Sequence, residues 1–250
     1  MHRFFVDRIC SVDETVRITG EDSRHISKVL RLREGDTIEL CDGLGRDYEG
    51  VIRRINRNSV EVVIRRSYPS MGEPQTKVIL YQAIPKGTKM DIIIQKCVEI
   101  GVHRIVPVIT ARTIVKLDSE EEGTKKVARW QRIAREAAKQ SRRGIVPQIS
   151  MPLFFEDAVQ SCANMFCIFP WENERALGIR ECLETGKDRR CIAVMIGPEG
   201  GWEEDEVMQA KKYGWNTVSL GPRILRTETV GMALLAAIMF YNGEMEHPIG

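Results

Sequence analysis

Two rhythms of apolar and polar positions divide the chain. In the first seventy residues the apolar runs are short: FFV near the start, then DTIELC (36–41), YEGVIRRI (48–55) and SVEVVIRR (59–66), separated by Gly and Asp-Gly. Runs of this length between turn residues predict short strands, and several in succession predict a small β-barrel. One helical stretch, SRHISKVLRLREGD (23–36), interrupts them and is expected to stop at Gly35. From Lys77 the pattern changes to strand and helix in alternation. KVILYQAI (77–84) reads as a strand, TKMDIIIQKCVEIG (88–101) as a helix closed by Gly101, and RIVPVI (104–109) as a strand. A long helix is expected over 124–143, then strands near MFCIF (165–169), CIAVMI (191–196) and TVSLG (217–221), with a helix in EEDEVMQAKKYG and another in TETVGMALLAAIMFYN (227–242). Such alternation predicts a mainly parallel α/β sheet. SYPSMGEP (67–74), with two prolines and a glycine, is the natural linker. The chain therefore reads as a β-barrel domain over 1–70 and an α/β domain over 75–250.

A chain of 250 residues is long enough for two real cores. No apolar run approaches a membrane span, and MHRFFVDRIC is too charged for a secretory signal, so a cytoplasmic location is expected. The seven cysteines and four histidines are scattered without CxxC pairs or ligand spacing. This predicts reduced, mostly buried thiols, no metal, and neither a Cys-His nor a Ser-His-Asp centre. The net charge of +2 hides an asymmetry: 124–143 holds eight Lys or Arg against one Glu, whereas 196–250 holds four against eight acids. The basic segment is a candidate nucleic-acid footprint, its alternative being a solvated helix face.

Candidate chemistry gathers at two glycine turns. IGPEGGW (196–202) follows an apolar strand and precedes a helix, which places it at a strand's carboxyl end, where open α/β sheets bind ligands. Phosphate is a poor fit, because Glu199 sits in the turn and Glu203, Glu204, Asp205 and Glu206 crowd the next helix. The expected ligand is neutral or cationic, or held by its apolar parts. LGPRILRTETVG (220–231) repeats the arrangement, with Arg223, Arg226 and Glu228 in a loop that points into the same crevice. Thr227 or Thr229 is the expected cap of the helix that follows. On the long helix, Lys125, Arg129, Arg132, Glu136, Lys139 and Arg143 recur at three- and four-residue steps, opposite Val127, Trp130, Ala134, Ala137, Ala138 and Ser141. That stripe suits a phosphate backbone, with Gln140 and Arg142 near its end. Lys86 and Lys89 in PKGTK, and Arg31 with Arg33, form two further basic groups.

The segments HISKVLRLREGD, QKCVEIGVHRIVP, RWQRIAREAAKQSRRGIVPQI, IGPEGGW and LGPRILRTET together resemble the 16S ribosomal RNA (uracil-N3)-methyltransferase family of the SPOUT superfamily. Arg24 stands where many members have a second histidine, and Val230 replaces a common alanine. The resemblance implies a PUA-like N-terminal barrel, a C-terminal domain tied in a trefoil knot, a homodimer, and S-adenosylmethionine as methyl donor. It implies a donor site lined by Ile196, Gly197, Glu199, Gly201, Leu220, Gly221, Ile224, Leu225 and Thr229, with Phe169 a further candidate. The expected reaction is methylation of uridine N3 in small-subunit 16S rRNA, with Arg226 and Arg223 stabilising the imino anion or orienting the base, and Glu228 or Glu199 orienting the arginines. RNA contacts are expected from Arg31, Arg33, Lys86, Lys89, Arg129, Arg132, Gln140, Arg142 and Arg143. The alternatives are a SPOUT enzyme acting on a ribose 2′-hydroxyl or another base, and a non-catalytic RNA-binding assembly factor.

Overall fold

The computed structural model describes residues 2–6, 8–114, 119–162, 165–187 and 189–246. The chain divides into two units, Met1–Glu73 with Ala138–Val146, and Pro74–Ala137 with Pro147–Gly250.

In the first unit, strands β1 (Arg3–Phe5), β2 (Thr15–Thr19), β3 (Thr37–Cys41), β4 (Arg46–Ile55) and β5 (Ser59–Pro69) form one sheet in the order β1-β3-β4-β5-β2. All pairs are antiparallel except β1 with β3. Period-two alternation turns Val16, Ile18, Ile38, Leu40, Tyr48, Ile52, Val60, Val62 and Ile64 onto one core with Phe4 and Ile26. The helix expected over 23–36 is shorter. Helix α1 (Gly20–Arg24) runs into a π-helical turn, His25–Val29, and Arg31 then takes a φ of 53°. Leu30 and Leu32 still pack on the core, which explains the helix-like spacing, but the chain leaves to meet β4, where Gly35 N donates to Ile52 O at 2.8 Å.

The segment Ala138–Val146 joins this unit, which the linker position does not anticipate. It also corrects the stripe. The long helix α3 (Glu120–Gln140) ends before Arg143, and Arg142 adopts a φ of 59°, so the helical period does not carry through. Arg143 turns inward and is 3% exposed. Its guanidinium meets Glu73 at 2.7 Å, and Glu73 also accepts from Ile145 N at 2.9 Å.

In the second unit, β6 (Lys77–Ala83), β7 (Arg104–Ile109), β8 (Gln148–Ile149), β9 (Leu153–Phe154), β10 (Phe166–Pro170), β11 (Cys191–Ile196) and β12 (Asn216–Val218) form a parallel sheet. Its order is β12-β10-β11-β6-β7-β8, with β9 also on β7. Helices α2 (Lys89–Ile100), α4 (Phe155–Gln160), α5 (Ile179–Thr185), α6 (Glu204–Lys212) and α7 (Thr227–Tyr241) alternate with the strands. The strands β6 and β11 are apolar and buried almost throughout, as sheets covered on both faces require. All seven cysteines are free and six are buried.

Beyond β10 the chain has no regular structure until α5, yet it is pinned. The Glu174 carboxylate accepts from Thr217 Oγ1 at 2.6 Å, Ala176 N at 2.8 Å and Arg175 N at 2.9 Å. The Thr217 hydroxyl bond first, then the backbone N–H bonds, hold its pKa down to about 2.

Both pinned carboxylates, Glu73 and Glu174, can be tested by substitution. Arg143→Ala leaves Glu73 without its buried partner and should lower unfolding stability by about 3 kcal/mol, read by urea denaturation. Glu174→Gln should cost about 2 kcal/mol at neutral pH. Because the folded pKa lies below the unfolded one, the carboxylate's contribution is present above the ordinary carboxylate range and fades as pH falls toward 2. The stability gap between Glu174→Gln and the unaltered protein should therefore narrow on acidification; a constant gap would overturn this.

Candidate active site

Strands β12, β10 and β11 end side by side, and the segments leaving them enclose a cavity of about 800 Å³. One wall is 170–175 after β10, a second comes from Ile196, Gly197, Pro198, Gly201 and Trp202 after β11, and a third is 218–225 after β12. Thr227 and Val230 of α7 close it. This is the carboxyl edge of a parallel sheet, where strand ends leave backbone groups facing a crevice. The volume lies in the range of small-molecule and cofactor sites, roughly 300–1,000 Å³.

The turn after β11 is built around glycine for two reasons. Gly201 has a φ of 71° and donates to Pro198 O at 3.0 Å. A Cβ on Gly197 would lie 2.9 Å from the Trp202 indole, whose ring stacks on Phe169 with centroids 4.4 Å apart. Gly221, in the turn after β12, differs. Its φ is 95° and no atom lies within 4 Å of where its Cβ would be, so its missing side chain leaves space in the cavity wall.

Three of the acids around the first turn, Glu199, Glu203 and Glu206, are bonded to protein groups. Glu199 Oε1 accepts from Lys89 Nζ at 2.9 Å and from Lys86 N at 3.2 Å. Burial works to raise its pKa, but the Lys89 bond and the N–H groups of Glu199 itself and of Lys86 outweigh it, and the net shift is downward. Lys89 is raised in turn, mainly by Glu199, and lies 3.6 Å from Glu228 Oε2. Glu203 accepts from Arg112 Nε at 2.8 Å, which holds its carboxyl below the usual range. Glu206 accepts from Ala111 N and from Glu203 N, each at 2.9 Å.

Of the expected donor-site residues, Ile196, Gly197, Gly201, Leu220, Gly221, Ile224 and Leu225 line the cavity. Phe169 is fully buried beneath Trp202, Glu199 faces Lys89, and Thr229 lies exposed on α7 between two residues that do line it. Arg223 reaches the cavity. Arg226 precedes α7 and is exposed, and Glu228 is half-buried beside Lys89. The basic groups separate likewise. Arg129 is paired with Asp91, Lys89 with two glutamates, and Arg143 with Glu73. Arg31, Arg33, Lys86, Arg132, Gln140 and Arg142 are exposed.

Sequence reasoning misses the whole β10 wall, from Pro170 through Glu172 and Glu174 to Arg175, and also Trp202. The available signal is positional: PWENE directly follows an apolar strand. Thr227 reads in the sequence only as a helix cap. Its Oγ1 instead donates to Gly197 O at 2.6 Å and accepts from Gln82 Nε2 at 3.1 Å. Among the described residues no three His, Cys, Asp or Glu side chains converge as metal ligands, and no helix is long and apolar enough to cross a membrane.

Comparison with known proteins assigns both units. Residues 72–239 match an RNA methyltransferase domain and 18–65 an RNA methyltransferase PUA domain. Ribosomal RNA small subunit methyltransferase E of Bacillus subtilis is 34% identical, over 96% of each chain. The protein of that name from Mesomycoplasma hyopneumoniae is 32% identical, over 94% of this chain and 97% of its own. The crystal structure of ribosomal RNA small subunit methyltransferase E from Neisseria gonorrhoeae bound to S-adenosyl methionine superposes with a TM-score of 0.84, at 34% identity, over 96% of this chain and 97% of that one. Matched along nearly its full length, with one unit carrying a parallel sheet and the other a PUA-like module, the chain belongs to the RNA methyltransferase family.

Proposed function

We propose that this protein transfers a methyl group from S-adenosylmethionine to N3 of a uridine in 16S rRNA of the small ribosomal subunit. The observation that carries the reading is the cavity itself, walled by two glycine turns with an arginine, Arg223, in its lining. Its residues fit the donor. Ile196, Leu220, Leu225 and Val230 offer apolar surface for an adenine, Gly221 leaves room for close approach, and the Glu172 carboxylate suits a cationic ligand. When bound, the donor supplies an electrophilic methyl group on a sulfonium.

The chain's own task is to make uridine N3 nucleophilic. Its lone pair is unavailable while the proton is on, and the imino group ionises above neutral pH. Arg223 and Arg226, on the loop between β12 and α7, stabilise the anion once the proton has left to water, their guanidinium charge compensating the one that develops on the base. The N3 anion then takes the methyl group and becomes neutral, as the sulfur–methyl bond breaks with its electron pair left on sulfur and the donor departs as a neutral thioether. Glu228, beside Lys89, braces the start of α7. The exposed cations Lys86, Arg132 and Arg142, with Arg31 and Arg33, hold the RNA backbone. The trefoil knot, the homodimer and a cytoplasmic location belong to the same reading, as the resemblance implies.

Nucleoside mass spectrometry of 16S rRNA methylated by the purified enzyme should reveal 3-methyluridine; a 2′-O-methyl nucleoside or no product would overturn the assignment. Arg226→Ala should lower the single-turnover rate about a hundredfold and leave donor affinity within twofold, with Arg226→Lys intermediate. That rate should rise with pH through the neutral range, and a flat profile would place the stabilising charge elsewhere. Lys86→Gln with Arg132→Gln should make the slope of log affinity against log salt shallower by about one for each phosphate no longer neutralised, and an unchanged slope would remove both from the RNA face.

A further inference from the structure

Arg112 lies in none of the glycine turns, yet it is bonded to one of them. The loop after β7 is internally fixed. Thr110 N donates to Thr113 Oγ1 at 3.0 Å, Thr113 N donates to Thr110 O at 3.0 Å, and the two hydroxyls lie 2.8 Å apart. Ala111 N is anchored on Glu206 of α6. From this base the Arg112 guanidinium makes two bonds in different directions: Nη1 to the Gly200 carbonyl at 2.6 Å and Nε to the Glu203 carboxylate at 2.8 Å. A Cβ on Gly200 would stand 3.3 Å from Arg112 Cδ, so the side chain lies flat against the turn.

Magnitudes separate a stabilising role from a positioning one. The Arg112 and Glu203 side chains are 42% and 47% exposed. Exposed ion pairs contribute typically about 0.2–1 kcal/mol, comparable to the effect of many neutral surface changes. The pair therefore does little for folding. Its geometric effect is local: Gly200 is followed by Gly201, which lines the cavity at a φ of 71°, and glycine backbone is the least self-restrained in the chain. A turn of two consecutive glycines needs an external constraint to hold one conformation, and Arg112 supplies it at the carbonyl between them.

We propose that Arg112 is a positioning residue for donor binding, fixing the 198–201 turn in the conformation that forms one wall of the cavity. Arginine is required because one planar group must serve a carbonyl and a carboxylate through two separate nitrogens. The inference rests on the reading of the cavity as the donor site.

The test is calorimetric titration of the full-length protein with S-adenosylmethionine, alongside thermal unfolding. Arg112→Ala should weaken donor binding about tenfold with its melting temperature little changed. Arg112→Lys should recover only part of that affinity. Unchanged affinity in Arg112→Ala would overturn the proposal. So would a drop in affinity that tracks a lowered melting temperature, or full recovery by lysine. Failure of the unaltered protein to bind the donor would instead overturn the reading of the cavity.

Discussion

Thr227 Oγ1 donates to the Gly197 carbonyl and accepts from the Gln82 amide, and both Thr227 and Gln82 are buried. This hydroxyl is the point where the end of β6, the turn after β11 and the first residue of α7 meet. Buried polar groups need partners, so each of the three segments is held where its neighbour can satisfy it. Without that constraint the two glycine turns would be independent loops on neighbouring strand ends. With it, the second turn is carried into α7 and α7 is tied to the first turn, so the two walls keep one separation.

Electrostatics around the site follow from the same framework. The acid-rich start of α6 is favoured by the helix dipole and reaches outward to the loop after β7, through Ala111 and Arg112. Glu199 is turned toward Lys89. The carboxylates that make the sequence look hostile to anions are thus mostly consumed in holding loops. The charged residues that line the cavity are Glu172, Glu174 and Arg175 on the β10 wall, the last two held by bonds within that wall and to Thr217, and Arg223 on the wall after β12, so charges of both signs face it.

The strands of the parallel sheet are legible where each is a continuous apolar run bounded by turn residues, and the helices α2 and α7 because they are long compared with one turn. β2, β8, β9, α4 and α5 are not, since segments of two to seven residues such as TVRIT or QI show too few periods to define a face. At the site, Gly-Pro at two strand ends marks two walls. The third wall escapes because PWENE has no motif; it matters only because β10 lies between β11 and β12, and sheet order is a property of the fold. A helical wheel extended past Arg142 puts Arg143 on the wrong side, because the left-handed backbone of Arg142 ends the period. Phe169 is suggested for the site by its place near a strand end, but a residue one place short of the edge points into the core.

The membership of Ala138–Val146 in the N-terminal unit has a consequence for how this architecture can be inherited. The chain passes between the units three times, at 73/74, 137/138 and 146/147. The N-terminal module is therefore discontinuous in the gene, although the segment that matches its family model, 18–65, is continuous. A fragment ending at the linker would carry Glu73 without Arg143 and would lack the strand-like bridge between Leu44 and Ile145. A single recombination event at the linker would therefore leave part of the module's own structure with the methyltransferase half.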